Sequence, residues 1–185
     1  MAYRNGTYIA FHAGGTDVPI DSDIKYYNLM KAWTEKEDID FSMINSHEKT
    51  SAVRDTSQRD TLRSRLKERL RNSKNMVLII GPTTRNDTDW VPFEIEFAID
   101  GCDIPIILAY TDYESILAPN LLSELWPDAL KKRINNGTAS CIHIPFKKNP
   151  LKDAISQFDH NNKPKGGGLG CYSKEAYESF GIKIN

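Results

Sequence analysis

Cysteine is scarce in this 185-residue chain, and the three present, Cys102, Cys141 and Cys171, are far apart and odd in number. That spacing argues against a disulfide framework and supplies no Cys-x-x-Cys pair, so reduced thiols and no metal site are expected. The four histidines add no metal-ligand spacing. An excess of one charge is also missing: the formal net charge of -1 gives no general attraction to nucleic acid or to a membrane surface. No apolar run is long enough to cross a bilayer, and residues 1–7 lack the apolar stretch of a signal peptide. These absences lead to the expectation of a cytoplasmic protein whose partners are neither nucleic acid nor membrane. There is no internal repeat at a solenoid period.

What is present is alternation. Short apolar runs at residues 7–11, 41–44, 76–80, 105–110 and 139–144 are separated by amphipathic segments. The third and fourth runs are almost wholly apolar, as central parallel strands covered on both faces should be. Helices are predicted near 22–36, 57–73, 90–100, 120–134 and 150–158. The second has the clearest period, with Leu62, Leu66 and Leu70 four apart and Arg63, Arg65, Lys67 and Arg69 on other faces. Strand–helix repetition implies an α/β fold, here a three-layer flavodoxin-like arrangement around a five-stranded parallel sheet of order 2-1-3-4-5. A domain of this size buries roughly 70% of the surface its unfolded chain exposes, so it needs no staple. It is assigned to residues 1–160. Residues 161–185 read as a Gly-rich linker, which includes Gly166-Gly167-Gly168, and a short C-terminal extension.

The segment Trp90-Val91-Pro92-Phe93-Glu94-Ile95-Glu96 opens the helix after the third strand. Ligands of open α/β sheets bind outside the carboxyl ends of the strands, so a carboxylate here lies near the binding rim. Asp87 and Asp89 are suitable caps, and Pro92 is tolerated only within the first turn. Glu94 then sits about one turn inside, where the helix dipole favours the ionised carboxylate. Val91, Ile95, Ala98 and Ile99 form the apolar stripe. Glu94 borders it through Val91 and Ala98, whereas Glu96 lies roughly 200° further round. A carboxylate in that place can hold ribose hydroxyls, stabilise an oxocarbenium ion or accept a proton from a nucleophile. From position alone, a residue that merely complements the helix dipole is the plainer reading.

The pattern Trp-Val-x-x-Glu-Ile resembles the helix that carries the NAD-cleaving glutamate of TIR domains. Tyr8-Ile9-Ala10-Phe11-His12 resembles a TIR first strand. Asp40-Phe41 to Ser46-His47, and Thr61-Leu62 through Ser73-Lys74, resemble the second strand and second helix of bacterial TIR-like proteins. Val77-Leu78-Ile79-Ile80-Gly81-Pro82-Thr83-Thr84 completes the set. The resemblance spans roughly residues 7–145 and extends to the TIR-like subunit of Thoeris anti-phage defence. It implies that Glu94 is the catalytic carboxylate and that Phe11 and His12 line the NAD pocket, for which Asn45, Ser46 and His47 are further candidates. It also implies that NAD is a substrate, with no resident cofactor, and that an ADP-ribose-derived messenger activates a separate effector protein. A phage-derived trigger, and a homo-oligomer in which a neighbour completes the pocket, belong to the same expectation. Two departures stand out: the loop after the second strand lacks a Gly-Pro-type turn, and Pro92 occupies a position not usually proline. Both bear on receptor-type TIR signalling more than on NAD chemistry.

Other segments carry weaker signals. In His12-Ala13-Gly14-Gly15-Thr16-Asp17 the glycines permit close approach to a phosphate, yet the motif is neither a Walker loop nor Gly-x-Gly-x-x-Gly. A plain turn explains it as well. Asn45-Ser46-His47-Glu48-Lys49 opens a polar loop of roughly a dozen residues, longer than most connections and suited to a pocket wall. His47 can contact a nucleotide there, although a surface-loop histidine is the plainer reading. The basic residues between Arg59 and Lys74 read as a solvated helix face, since no aromatics interleave them. Trp33 and Trp126 read as packing residues.

The functional expectation is therefore NAD cleavage at the nicotinamide–ribose bond. Its chief rival is a non-catalytic TIR-like adaptor that signals by self-assembly. A response-regulator receiver is disfavoured because Gly81-Pro82 follows the third strand where an aspartate is needed. A flavodoxin is disfavoured because Gly14-Gly15-Thr16 is a poor phosphate loop.

Overall fold

The computed structural model describes residues 4–14, 23–36, 42–44 and 56–184. Its strands are β1 (Gly6–Ala10), β2 (Ser42–Ile44), β3 (Ser73–Ile80), β4 (Ile106–Tyr110), β5 (Cys141–Pro145) and β6 (Gly170–Cys171). All pairings are parallel, in the order β2-β1-β3-β4-β5-β6. The helices are α1 (Ile24–Glu35), α2 (Thr56–Arg71), α3 (Trp90–Glu96), α4 (Asp128–Asn135), α5 (Lys148–Gln157) and α6 (Lys174–Ser179).

The period of two along each strand divides the core into two layers. Tyr8, Leu78 and Leu108 face α2, α3 and α4, where Leu62, Leu66, Leu70, Val91, Ile95 and Leu130 meet them. The alternate residues Ile9, Val77 and Ile107 face α1 and α5 through Ile24, Met30, Leu151 and Ile155. Every residue of β4 is buried, and so is all of β3 except Lys74, as their unbroken apolar runs require. This is the expected flavodoxin-like, three-layer fold with strands 2-1-3-4-5 in the expected order. Among the described residues no helix is long and apolar enough to cross a membrane.

Among the described residues the sheet has six strands, not five. β6 adds to the outer edge of β5 through Ile142↔Gly170 and His143↔Cys171. Two residues within a glycine-rich run carry no apolar alternation, so nothing local marks them as a strand; pairing with β5 makes them one. Gly170 has to be glycine, because a Cβ there would lie 2.6 Å from the Cys141 carbonyl oxygen and 2.7 Å from that of Lys165. Gly170→Ala is expected to cost about 1–3 kcal/mol and to release β6. Hydrogen exchange should then lose protection at residues 170–171 and along β5; unchanged protection would contradict the assignment. Beyond β6, the Tyr177 phenol is buried in α6, where it donates to the Ile116 carbonyl (3.1 Å) and accepts from its N–H (3.2 Å).

Three local readings change. The helix read over 120–134 is a 3-10 segment, Pro119–Leu125, followed by α4. Pro127 interrupts it by holding Trp126 extended (φ -81°, ψ 136°). The helix read over 90–100 is α3 continued by a π turn over Phe97–Gly101. The basic face of α2 is not simply solvated, because it packs on the aromatic side chains of α3. Arg59 and Arg63 lie over Trp90 at 5.5 and 5.9 Å, and Lys67 and Arg71 lie over Phe97 at 5.3 and 5.1 Å. Each such contact contributes about 0.5–1 kcal/mol at a partly exposed site. The stacking partners stand on a different helix, so no interleaving within α2 could reveal them.

Candidate functional site

The site is built at the start of α3. Chain leaving β3 passes Gly81 and a 3-10 turn, Thr84–Asn86, before reaching Asp87. Asp87 Oδ1 accepts the N–H groups of Asp89, Trp90 and Val91 at 2.9, 3.0 and 3.3 Å. Pro92 has no N–H to satisfy, and Phe93 N–H donates to the Asp89 carbonyl at 3.4 Å. The orphan donors of the first turn are thus accounted for, which is why Pro92 is tolerated. Of the two aspartates expected to cap, Asp87 does so. The Asp89 carboxylate instead pairs with Arg59 and lies 3.6 Å from Arg63.

One turn in, Glu94 is 0% exposed, and the Tyr8 hydroxyl donates to its Oε1 at 2.5 Å. Glu96 points elsewhere, half exposed, with Arg133 at 3.5 Å. The helical period therefore separates the two glutamates as expected. The Tyr8–Glu94 bond ties β1 to α3 through two wholly buried side chains, and a hydrogen bond of this kind contributes about 0.5–1.5 kcal/mol. Tyr8→Phe is expected to lower stability by that order, as measured by chemical denaturation, because the ring stays in the core while the donor is lost.

His12 lies two residues beyond β1, and its Nδ1 is 3.1 Å from Asp87 Oδ2. His12 and Glu94 thus engage the same helix, one through the cap residue and the other through Tyr8. Phe11 does not join them. It is 1% exposed in the α1–α5 layer, with its ring 5.3 Å from that of Tyr27, on the other side of the sheet from Glu94. Asn45, Ser46 and His47 lie outside the described residues, as do Gly15, Thr16 and Asp17.

A second polar cluster adjoins His12 and was not legible in the sequence. The Asp23 N–H donates to the His12 carbonyl at 3.2 Å. Thr84 Oγ1 donates to Asp23 Oδ2 at 3.1 Å and accepts the Gly81 N–H at 2.8 Å. Burial pushes the Asp23 carboxyl above its ordinary range, opposed by the Thr84 hydrogen bond and by His12. A Cβ on Gly81 would come 2.5 Å from Asp23 Oδ1, which is the local demand for that glycine. Asp23 and Thr84 are remote in the chain, and the β1–β3 pairing brings their loops together.

Among the described residues no cluster of three or more His, Cys, Asp and Glu side chains is arranged to hold a metal. The three cysteines are free, with Cys102 and Cys141 buried and Cys171 exposed. Burial pushes the Cys141 thiol up to about 12, so it is inert as a nucleophile at neutral pH.

The family model described as Thoeris protein ThsB, TIR-like domain, matches residues 8–116. That span covers more than half of the chain, runs from β1 past β4, and contains Tyr8, His12, Asp87 and Glu94. With the parallel sheet order and the placement of Glu94 in α3, the match shows that this chain belongs to the Thoeris ThsB TIR-like family of anti-phage defence.

Proposed function

We propose that this protein cleaves NAD at the nicotinamide–ribose bond after phage infection and makes an ADP-ribose-derived nucleotide, cyclic or linear, that activates a separate effector protein. The observation that carries this reading is the placement of Glu94: a carboxylate one turn inside α3, held by the phenol of the first strand. As the bond from ribose C1′ to the nicotinamide nitrogen lengthens, positive charge grows on the ribose. A fixed carboxylate in a dry site stabilises that charge with little reorganisation. Neutral nicotinamide then departs with the bonding electron pair, and a hydroxyl closes on C1′. NAD is consumed as substrate, and the scheme uses neither a resident cofactor nor a metal.

His12, which lies beside Asp87 just beyond β1, is assigned to the pocket wall. Asn45, Ser46 and His47, which follow β2, are assigned to the same pocket because they open a long polar loop suited to a pocket wall. Phe11 is assigned there by the resemblance too, although its ring packs in the opposite layer. A neighbouring copy of the chain completes the pocket in the assembled form. Other Thoeris proteins are the partners that family membership implies; a nucleotide-gated effector is the specific one proposed.

A second reading has one observation in its favour. Glu94 is 0% exposed and already bonded to Tyr8, as a purely structural pair would be. On that reading the protein is a non-catalytic TIR-like adaptor that signals by self-assembly. Mass spectrometry of nucleotides from phage-infected cells separates the two. An ADP-ribose-derived product present with the wild-type chain and absent with Glu94→Gln supports the enzyme. Absence of any product, with defence surviving Glu94→Gln, supports the adaptor.

A further inference from the structure

We infer that His12 and Asp87 form the proton-accepting dyad of this site: Asp87 holds the Nδ1–H of His12, and Nε2 takes the proton of the hydroxyl that attacks ribose C1′. The inference rests on the NAD-cleavage reading above and assigns acid–base work to a residue other than Glu94.

The geometry starts from the two oxygens of Asp87. Oδ1 is committed to three backbone N–H groups of the α3 start, so the carboxylate cannot rotate freely. Oδ2 is thereby fixed 3.1 Å from His12 Nδ1. An ionised carboxylate only accepts, so Nδ1 must carry the hydrogen, and Nε2 holds the lone pair of the neutral ring. Among the described residues Nε2 makes no hydrogen bond, and the His12 side chain is 18% exposed while Glu94 is 0% exposed. The accessible base is therefore His12. The main chain of His12 is anchored as well, through the Asp23 N–H. Asp87 pairs with the ring, and Asp23 interacts with it electrostatically.

This divides the chemistry between two groups with different surroundings. Glu94, buried against Tyr8, supplies fixed negative charge to the oxocarbenium ion. His12 removes the proton. The hydroxyl O–H bond breaks and its proton goes to Nε2, while the oxygen forms a bond to C1′. The bond from C1′ to nicotinamide breaks, and its electron pair neutralises the pyridinium. The charge carried by NAD reappears as the proton on His12, which later passes to water. The hydroxyl is that of water for a linear product or one of the nucleotide's own for a cyclic product.

Asp87→Asn distinguishes a positioning role from simple capping. The amide oxygen can still accept the helix N–H groups, but the facing NH2 can only donate to Nδ1, which forces the hydrogen onto Nε2. The experiment measures nicotinamide release in extracts of phage-infected cells carrying wild-type, His12→Gln, Asp87→Asn or Glu94→Gln full-length chains. Nitrogen-15 histidine NMR of the purified chains reads the tautomer directly. Expected are a loss of about 10²–10⁴-fold for His12→Gln, a comparable loss for Asp87→Asn, and an Nδ1–H to Nε2–H switch in Asp87→Asn. If Asp87→Asn does not fold, His12→Gln, which leaves the α3 cap untouched, carries the test. Full release with His12→Gln, while Glu94→Gln abolishes it, overturns the dyad and leaves NAD cleavage standing. An Nε2–H tautomer in the wild-type chain also overturns the dyad. No nicotinamide from the wild-type chain overturns both.

Discussion

Glu94→Gln is expected to cut nicotinamide release by at least about 10²-fold while the protein remains folded. The two halves of that expectation have separate causes. The amide oxygen of Gln can still accept the Tyr8 hydroxyl, so the buried link between β1 and α3 persists. What is lost is the negative charge proposed to meet the oxocarbenium ion. The new NH2 group in a wholly buried site costs about 1–3 kcal/mol, which lowers the melting temperature without unfolding a domain of this size. Glu94→Ala is less informative, because it also removes this acceptor of the Tyr8 hydroxyl and confounds chemistry with stability. Wild-type rates of release from folded Glu94→Gln protein would make Glu94 a structural residue.

The second large effect falls on stability on the same face of the sheet, around β4 and β5. Trp126 Nε1–H donates to the Tyr110 hydroxyl at 2.7 Å, Tyr110 lies 2.8 Å from His143 Nδ1, and His143 Nε2 lies 2.8 Å from the Gly168 carbonyl. An indole only donates and a carbonyl only accepts, so the order is fixed: Tyr110 donates to Nδ1, and Nε2–H donates to Gly168. Burial keeps the Tyr110 phenol protonated by raising its pKa far above the ordinary value. The same burial holds His143 neutral, with its pKa lowered from 6.5 to about 4. Between those values the unfolded chain binds the proton and the folded chain does not. Stability is therefore fully present above pH 6.5 and lost as pH falls, by about 3 kcal/mol in all at pH 4. His143→Phe should abolish that component. At neutral pH it should also cost about 1–3 kcal/mol for each of the two groups left unpaired, Tyr110 and the Gly168 carbonyl. Chemical denaturation at pH 7 and pH 4 checks both: the wild-type chain should lose about 3 kcal/mol more than His143→Phe between the two conditions. An equal loss in both chains would mean that His143 is not held neutral by the fold.

These two sites were unequally visible in the sequence. Local pattern was enough for β1 to β5 and for α2, whose Leu62, Leu66 and Leu70 are all buried. It also separated Glu94 from Glu96 on α3. The TIR resemblance supplied what period could not, namely the chemical role proposed for Glu94. Hidden were the partnerships between residues remote in the chain. Tyr8 reads as an ordinary strand residue until the β1–β3 pairing sets it beneath α3, and Asp87 reads only as a cap until its second oxygen meets His12. His143 sits in an apolar run and shows its chain of hydrogen bonds only once β4, β5 and the glycine-rich segment are assembled. The same holds for β6, whose two residues become a strand solely by pairing. Stacking of α2 cations on Trp90, Phe93 and Phe97 likewise required a second helix.

The most direct test of NAD cleavage by Glu94 uses NAD labelled in the nicotinamide ring. It is added to extracts of phage-infected cells that contain the wild-type chain, Glu94→Gln or neither. Free labelled nicotinamide should accumulate with the wild-type chain and fall to the level of the empty control with Glu94→Gln. Equal release from all three extracts, with both chains folded and present, would contradict catalysis by Glu94 and leave a module that signals by assembly.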